Sequence, residues 1–318
     1  MSRRSRLRRG APLLAAALAL GAVVAGPGVQ AQGPAGLNHH PVLPSMVDGH
    51  PRGLSLGLFG GRPIKYHGGP VILGTTHAYA IWYGNWTAGA YPATPGLMTS
   101  FLGNDGGSPY FNINTTYSMT TGTTTTAVTN AVSFGGSAFI GYDNGKTTLS
   151  DADVATEVAR GIASGQLPST IADPNGVYFL LTSSDVRESS GFLTLYCGFH
   201  DDTTIGGVVT KYAFVGDPSR SLSSCATQTA TSPNNNVAGD AMVNVAAHEL
   251  EEAVTDPLLN AWYDNGGNEN ADKCAWNFGT SYTAANGSKA NMKLRDGHDY
   301  YIQQNWPNVG NGACALSH

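Results

Sequence analysis

The sequence predicts a mixed α/β protein in which helices pack on a twisted mixed or antiparallel sheet. Apolar runs of strand length, rich in β-branched and aromatic residues, recur between glycine and proline positions. Two other segments repeat their apolar residues every three or four positions, which is the period of a helix that buries one face. Together these two periodicities indicate a sheet covered by helices.

The first 31 residues predict an export signal. Five arginines precede an apolar run from Ala11 to Ala25, and the small residues Val29 and Ala31 fit a cleavage site after residue 31. The run is about 15 residues long, which is shorter than the roughly 20 that span a bilayer. We therefore expect a secreted, extracellular protein that loses residues 1–31 and does not insert into a membrane.

Cleavage would remove five of the 17 basic residues and leave an acidic chain with 22 aspartates and glutamates. Because no basic stripe remains, a nucleic acid partner is not expected. Residues 32–62 mix glycine, proline and histidine without periodicity, which predicts a flexible leader. Residues 63–318 are long enough to bury a substantial core, and we expect them to form one domain.

The first predicted elements after the leader are strands and a short helix. Residues 70–86 carry β-branched and aromatic side chains between glycine and proline positions, which favours paired strands. Thr94 and Pro95 predict the start of a helix, with the threonine as its cap and the proline in its first turn. This helix is predicted to end near Leu102.

A second helix and two strands are predicted in the middle of the chain. Ser150 and Asp153 form a capping box, with aspartate in place of the usual glutamate, and predict a helix over 151–164. The continuous apolar run at 177–182 predicts a strand that is buried on both faces. Residues 211–215 predict another strand.

The segment with the densest group of potentially reactive side chains is a helix predicted over 240–256, with Asp240 as its cap. From position 248 it reads HELEE, in a chain in which only 12% of residues are charged. His248 and Glu252 are four residues apart and project from the same helix face, with Glu249 beside them. We expect these side chains to lie at the rim of the buried face, beside a cleft.

This pattern resembles the zinc helix of H-E-x-x-H metallopeptidases, with the second histidine replaced by glutamate. The resemblance to thermolysin-like zincins implies that His248 and Glu252 bind the metal and that Glu249 is the general base. It also implies a third ligand, Glu269, and a supporting acid, Asp272, although these two roles are interchangeable on the sequence alone. A zincin-like arrangement of helices and sheet is expected with them.

The glutamate at position 252 changes the expected metal chemistry. One histidine and two carboxylates formally neutralise Zn²⁺, whereas two histidines and one carboxylate leave it with a positive charge. The bound water would then be less acidic. Oxygen-rich ligands also admit Ca²⁺ or Mn²⁺ as alternatives to zinc.

Other interpretations of these residues remain open. The HELEE segment also fits a buried polar network without a metal, or a solvated acidic helix face. His298 and Tyr263 are candidates for a catalytic group that stabilises the oxyanion, although ordinary packing or a surface hydrogen bond explains them as well. Three other histidines after the leader, His67, His77 and His200, lack ligand-type spacing.

The chain has four cysteines, Cys197, Cys225, Cys274 and Cys314, for which three disulfide connectivities exist. In an exported protein these residues predict disulfide bonds. We prefer pairing between sequence neighbours, 197 with 225 and 274 with 314, because each bond then closes one local loop. The absence of C-x-x-C spacing argues against a cysteine zinc site.

Several segments resemble the EXORDIUM-like, phosphate-induced protein family. They are IWYGNW at 81–86, VYFLLTSSDV at 177–186, YCGFH at 196–200 and the run from GDAM to WYDN at 239–265. The likeness extends from about residue 62 to the C-terminus, and it implies an exported protein. Plant members are associated with the cell wall and growth, without an established catalytic activity. The arginine-rich, alanine-rich leader resembles a bacterial signal, so we do not extend the plant role to this chain.

Two functions therefore compete on the sequence alone, and whether the chain is an enzyme stays open. The first is a secreted metal-dependent hydrolase, in particular a zinc metallopeptidase that acts on polypeptides. The second is a non-catalytic extracellular protein that binds cell-wall polymers, in which the acidic cluster is structural or binds calcium.

Overall fold

The computed structural model describes residues 63–87 and 92–318, and one short strand pair, Met46–Val47 with His50–Pro51. The predicted signal peptide, residues 1–31, lies outside the described residues, and so does the predicted leader except for that strand pair. Both stay predictions. In the part of the chain that the structure describes, no helix is long and apolar enough to cross a membrane.

Five strands form the central sheet. In chain order they are β1 (Thr76–Tyr83), β2 (Val132–Gly141), β3 (Gly176–Thr182), β4 (Gly198–Ile205) and β5 (Val208–Gly216). They lie side by side in the order 2-1-3-5-4, and all neighbouring pairs are parallel except β5 with the edge strand β4. The sheet is therefore mixed, and it is mainly parallel rather than antiparallel.

The connections between the strands decide these directions. Helices lie between β1 and β2 and between β2 and β3, and such crossovers bring neighbouring strands into the sheet in the same direction. In contrast, β4 and β5 are joined by Gly206 and Gly207, which have φ angles of 60° and 84°. Glycine adopts a positive φ without steric cost, and a two-residue loop of this kind makes an antiparallel hairpin.

Three helices cover the two faces of the sheet: α1 (Thr94–Asn104), α2 (Asp151–Ala163) and α3 (Val237–Thr255). Alternate residues of β1 show the division, because side chains along a strand point to opposite faces. Ala80 and Trp82 belong to the core under α1 and α3, whereas Ile81 and Tyr83 belong to the core under α2. Strand β3 is buried along its whole length, as predicted.

Short elements complete the fold outside these three layers. The short strand pairs are Lys65–Tyr66 with Trp262–Tyr263, Ser118–Thr121 with Thr124–Ala127, Thr148–Leu149 with Arg187–Glu188, Tyr282–Thr283 with Lys289–Ala290, and Met292–Lys293 with Asp299–Tyr300. Short helical turns are Phe111–Thr116, Pro218–Ser221, Leu222–Cys225 and Asp272–Cys274. Because the segment after α3 contains only such short elements among the described residues, its position depends on tertiary contacts.

The predicted start of α3 is wrong by three residues. The helix begins at Val237, and its cap is Asn236, whose side chain accepts the N–H of Gly239 at 3.0 Å. Asp240 lies in the first turn and accepts hydrogen bonds from the backbone and side chain of Asn234. Asparagine and aspartate are nearly equal as caps, so residue preference alone does not choose between them.

The start of α1 also differs from the prediction. Thr94 is the first helical residue and not the cap, and Ala93 at the cap position makes no side-chain hydrogen bond. The hydroxyl of Thr94 accepts a hydrogen bond from Asn236 at 3.1 Å, which links α1 to the start of α3. The helix runs past the predicted end at Leu102 and finishes at Asn104.

The preferred disulfide pairing is confirmed. Cys197 is bonded to Cys225 and Cys274 to Cys314, with Cα–Cα distances of 5.6 and 5.5 Å. Cys197 immediately precedes β4, and Cys274 ends the helical turn that begins at Asp272. Each bond therefore anchors a segment that also carries a polar residue next to α3.

Removal of the α2 cap should destabilise the protein. The hydroxyl of Ser150 accepts the N–H of Asp153 while the Asp153 carboxylate accepts the N–H of Ser150, which confirms the predicted capping box. We expect Ser150→Ala to lower the free energy of unfolding by about 1 kcal/mol, because an N–H group at the helix start loses its partner. Urea unfolding would measure the change.

Thr156→Ala is the matched control for this cap. It also removes a hydroxyl from α2, but Thr156 is exposed and donates only to the carbonyl of Ala152, which is already part of the helix. We expect its effect to stay within about 0.5 kcal/mol. Equal losses in the two variants would show that the cap does not contribute to stability.

Candidate metal centre

Helix α3 is buried along its whole length, including its acidic residues. All 19 residues are buried, and Glu249, Glu251 and Glu252 have no exposed surface. The sheet covers one side, and the C-terminal segment covers another, where Asn305 donates to Glu251 at 2.7 Å. The interpretation of HELEE as a solvated face is therefore wrong, and so is the expected position at the rim of a buried face.

His248, Glu252 and Asp272 form one cluster. The Nε2 atom of His248 lies 3.0 Å from Oε1 of Glu252 and 3.6 Å from Oδ1 of Asp272. The other ring nitrogen, Nδ1, contacts the side-chain amide of Gln303, whose backbone N–H donates to Asn244. The amide nitrogen of Gln303 faces Nδ1 and donates to it, so the proton of a neutral imidazole lies on Nε2, which faces the carboxylates.

His200, Glu252 and Glu269 form a second cluster on the other oxygen of Glu252. The Nε2 atom of His200 lies 3.0 Å from Oε2 of Glu269 and 3.8 Å from Oε2 of Glu252. His200 belongs to the edge strand β4, and sequence spacing did not identify it as a ligand. The sequence contains no local pattern that connects a strand residue such as His200 with a helix later in the chain. The only nearby feature that points to this position is the cysteine at position 197.

Backbone hydrogen bonds hold the acidic loop against α3. The N–H of Asp272 donates to Oε1 of Glu252 at 2.9 Å, and the N–H of Glu269 donates to Oδ2 of Asp272 at 3.2 Å. The disulfide at Cys274 lies two residues further along the chain. Main-chain contacts therefore set the positions of the two loop acids relative to Glu252.

The structure brings the four predicted ligands to one region but divides them between two clusters. Asp272, predicted as the supporting acid, shares a cluster with His248. Glu269, predicted as the third ligand, instead pairs with His200. The geometry thus favours the exchange of roles that the sequence left open. Metal binding by these residues and the zincin-like arrangement stay predictions.

Tyr263 and His298, the other predicted catalytic residues, make their described contacts elsewhere. The ring of Tyr263 stacks on His67, with 3.7 Å between ring centroids. The side chain of His298 is 46% exposed, and its Nδ1 lies 3.1 Å from Asp296. Since these contacts do not include a member of either cluster, the oxyanion role of both residues stays a prediction without geometric support.

Glu249 lies against the edge strand β4 at Gly198, where the strand comes close to α3. A Cβ atom on Gly198 would lie only 3.2 Å from Oε1 of Glu249 and 2.5 Å from Val245, so this approach requires glycine. Neither carboxylate oxygen of Glu249 makes a hydrogen bond of normal geometry. Burial raises the pKa of Glu249 well above its usual range.

Burial and the crowding of carboxylates also shift the pKa values of the other ionisable groups of the centre. Burial and the neighbouring Asp272 raise the pKa of Glu252 to about 7. Burial and Glu252 raise the pKa of Glu269 well above its usual range. Burial disfavours protonation of His248, but Glu252 and Asp272 outweigh it, and the pKa of this histidine rises. A protonated His248 would balance only one of these buried carboxylate charges.

The donor atoms of each cluster fit a divalent cation. Within a cluster they all lie within 4.8 Å of one another. This spacing suits ligands around one ion, for which bonds of about 2.0–2.5 Å are typical. Nε2 of His248 and Oε2 of Glu252 are buried and make no hydrogen bond of normal geometry, so a cation would take the place of the Nε2 proton and gain Oε2 as a further donor. A cation would supply the charge that the buried carboxylates lack.

Comparison with known proteins identifies the family. Residues 64–304 match the conserved region of phosphate-induced protein 1. The chain belongs to the phosphate-induced protein 1 family. EXORDIUM-like 3 of Arabidopsis thaliana is 30% identical over 257 residues, which cover 73% of this chain and 74% of that protein. EXORDIUM-like 5 of the same plant is 29% identical over 285 residues, covering 77% and 76%. No solved structure matches the chain.

Membership of the phosphate-induced protein 1 family confirms the resemblance predicted from the sequence motifs. The matched region contains the five strands of the sheet, the three helices and both clusters. The names of the two relatives describe no reaction, so they do not decide between a hydrolase and a non-catalytic protein. The assignment to a bacterial type also stays a prediction.

Asp105, at the end of α1, should make the stability of the protein depend on pH. Burial raises the pKa of this carboxyl from 3.8 to about 7, and its one described side-chain donor is Ser108, at 3.0 Å. The folded state then keeps this proton to a higher pH than the unfolded chain, so the free energy of unfolding falls as pH rises from about 4 to about 7. Asp105→Asn should therefore stabilise the protein by a few kcal/mol at pH 8 and have little effect at pH 4.

Urea unfolding of the wild type and the variant at the two pH values measures this difference. Asp143→Asn is the control, because Asp143 is exposed and forms a surface ion pair with Arg160. An Asp105→Asn effect of the same size at pH 4 and pH 8 would contradict the assignment.

Proposed function

We propose that this chain is a secreted metal-dependent hydrolase that acts on polypeptides. The observation that supports it best is the state of Glu249, a fully buried carboxylate beside two clusters of histidine and carboxylate, with the backbone of His200 as a nearby donor but neither oxygen in a hydrogen bond of normal geometry. A buried acid costs stability unless it is paired. A buried, unpaired acid therefore indicates a role in chemistry rather than a role in packing.

His248, Glu252 and Asp272 would hold the catalytic cation. Zn²⁺ is the proposed ion, and Ca²⁺ or Mn²⁺ are alternatives because two of the three ligands are carboxylates. These ligands are proposed because Oε1 of Glu252 lies 3.0 Å and Oδ1 of Asp272 lies 3.6 Å from Nε2 of His248. Gln303 would orient the histidine ring through Nδ1.

In the proposed reaction, Glu249 acts as the general base. A bound divalent cation would polarise the substrate carbonyl and make a water molecule more acidic. Glu249 takes the proton from this water as it attacks the carbonyl carbon, and then gives the proton to the nitrogen that leaves. The peptide C–N bond breaks, a carboxylate and an amine form, and Glu249 returns to its starting state.

The position of the clusters supports a polypeptide substrate. His200 belongs to β4, which is the edge strand of the sheet. An extended peptide can add to a sheet edge through main-chain hydrogen bonds, whatever its side chains. A peptide bound in this way at β4 would pass close to Glu249 and the two clusters.

A secreted location is part of the proposal. The two disulfides of the described chain are typical of proteins in oxidising compartments. The export signal predicted over 1–31 agrees with this location. The acidic balance of the chain gives no support for a nucleic acid partner.

A non-catalytic extracellular protein is the second candidate, and burial favours it. The side chains of His200, His248 and Glu252 are at most 2% exposed, and that of Asp272 is 15% exposed. A polypeptide reaches such donors only if the covering segment moves. In this alternative the cation stabilises the fold, and a different surface binds cell-wall polymers.

Glu249→Gln separates the two candidates. The variant keeps the shape of the side chain but cannot accept a proton, so a hydrolase should lose at least about 100-fold in activity while its metal content is unchanged. The measurements are cleavage of an unfolded protein substrate, with and without a chelator, and the metal content by elemental analysis.

Glu157→Gln is the matched control for this experiment. Glu157 is also a buried helical glutamate, but it lies in α2 on the opposite face of the sheet. Its substitution should leave hydrolysis at the wild-type rate. Wild-type protein with bound metal but no hydrolysis, or hydrolysis that survives Glu249→Gln, would count against the enzyme.

A further inference from the structure

The two oxygens of Glu252 face different histidines. Oε1 lies 3.0 Å from Nε2 of His248, and Oε2 lies 3.8 Å from Nε2 of His200. Each histidine has a second carboxylate beside it, Asp272 for His248 and Glu269 for His200. Glu252 is therefore the only residue common to both clusters.

Each cluster has the dimensions of a separate cation site. Two ligands of the same ion are separated by at most about twice the bond length, or about 4 to 5 Å. The three donor atoms within each cluster satisfy this limit of 4.8 Å, but the two clusters together do not form one larger group in the described part of the chain. One ion at the His248 cluster thus leaves the His200 cluster as a second set of donors.

We infer that the protein binds two divalent cations, bridged by the carboxylate of Glu252. The second cation would be held by His200 and Glu269 and would share Glu252 with the first. This inference rests on the metal centre of the proposed function, but it assigns a second ion and a ligand, His200, that the H-E-x-x-E pattern does not contain.

The first argument for two cations is charge. The centre contains four carboxylates with fully or largely buried side chains, Glu249, Glu252, Glu269 and Asp272. When ionised they carry four negative charges, which two divalent cations balance formally. One divalent cation would balance only two of these four charges, and an excess of negative charge in the interior is costly.

The second argument is the state of Glu252 Oε2. This atom is buried and directed toward His200, yet it makes no hydrogen bond. Oε1 of the same residue already accepts the N–H of Asp272 and faces His248. A carboxylate that bridges two ions uses both oxygens, which gives Oε2 the partner that the protein does not provide.

The surrounding fold holds the second set of donors in place. Gly198 lets β4 approach α3 more closely than any side chain would allow, two residues before His200. The disulfide at Cys197 anchors the start of the same strand. Glu269 is tied through its N–H to Asp272, which belongs to the other cluster. Both sites are thus parts of one connected network.

The number of bound cations tests the inference directly. The purified full chain is loaded with excess Mn²⁺, desalted, and measured for manganese and protein by elemental analysis. We expect two Mn²⁺ ions per wild-type chain and one in His200→Ala. His77→Ala is the control, because His77 is partly exposed and pairs with Asp173 away from the centre, and it should retain two ions.

Electron paramagnetic resonance provides an independent measurement. Two Mn²⁺ ions that share a carboxylate are magnetically coupled, so the wild type should show a coupled spectrum and His200→Ala the spectrum of an isolated ion. One ion per wild-type chain, or two ions without coupling, would overturn the inference. Because the wild-type result alone decides, the test holds even if His200→Ala does not fold.

The inference and the proposed function fail in different ways. Two coupled ions in a protein that hydrolyses no polypeptide would support the bridged centre and contradict the hydrolase. One ion in a protein that loses activity on Glu249→Gln would support the hydrolase and contradict the bridged centre.

Discussion

The structure depends on how the buried carboxylates of α3 are compensated. An ionised carboxylate removed from water costs several kcal/mol unless partners replace its hydration. Helix α3 carries Glu249, Glu251 and Glu252 without exposed surface, between the sheet and the C-terminal segment. Asn305 donates to Glu251, and the N–H of Asp272 donates to Glu252. The covering segment therefore packs on α3 and also supplies donors for its acids, which connects the fold to the site.

Two parts of the chain far from α3 in sequence are held beside it by similar means. The hairpin at Gly206 and Gly207 returns the chain so that β4 lies at the sheet edge, and the disulfide at Cys197 anchors the start of that strand. The disulfide at Cys274 anchors the acidic loop. The acidic loop does not need a long regular element, because a disulfide and backbone hydrogen bonds restrict a short segment sufficiently. The two anchored segments provide the two sets of donors that meet at Glu252.

Elements whose signals are local were predicted well. The capping box of α2 and the fully buried strand β3 depend on residues within a few positions of one another, and both are confirmed. The sequence left open whether the sheet is mixed or antiparallel, and it placed the start of α3 three residues too late. Strand direction depends on how whole connections cross the sheet, and the start of α3 depends on a choice among neighbouring asparagine and aspartate residues, including Asn236 and Asp240.

For the site, the sequence by itself determined that His248 and Glu252 share one helix face, because residues four apart are neighbours on any α-helix. It also indicated the acids at 269 and 272 as their partners. Only the tertiary structure decided that this face is buried, that Asp272 joins His248, and that His200 pairs with Glu269. The physical reason is that burial and contacts between distant segments depend on how the layers pack, and no local period encodes which strand reaches the sheet edge.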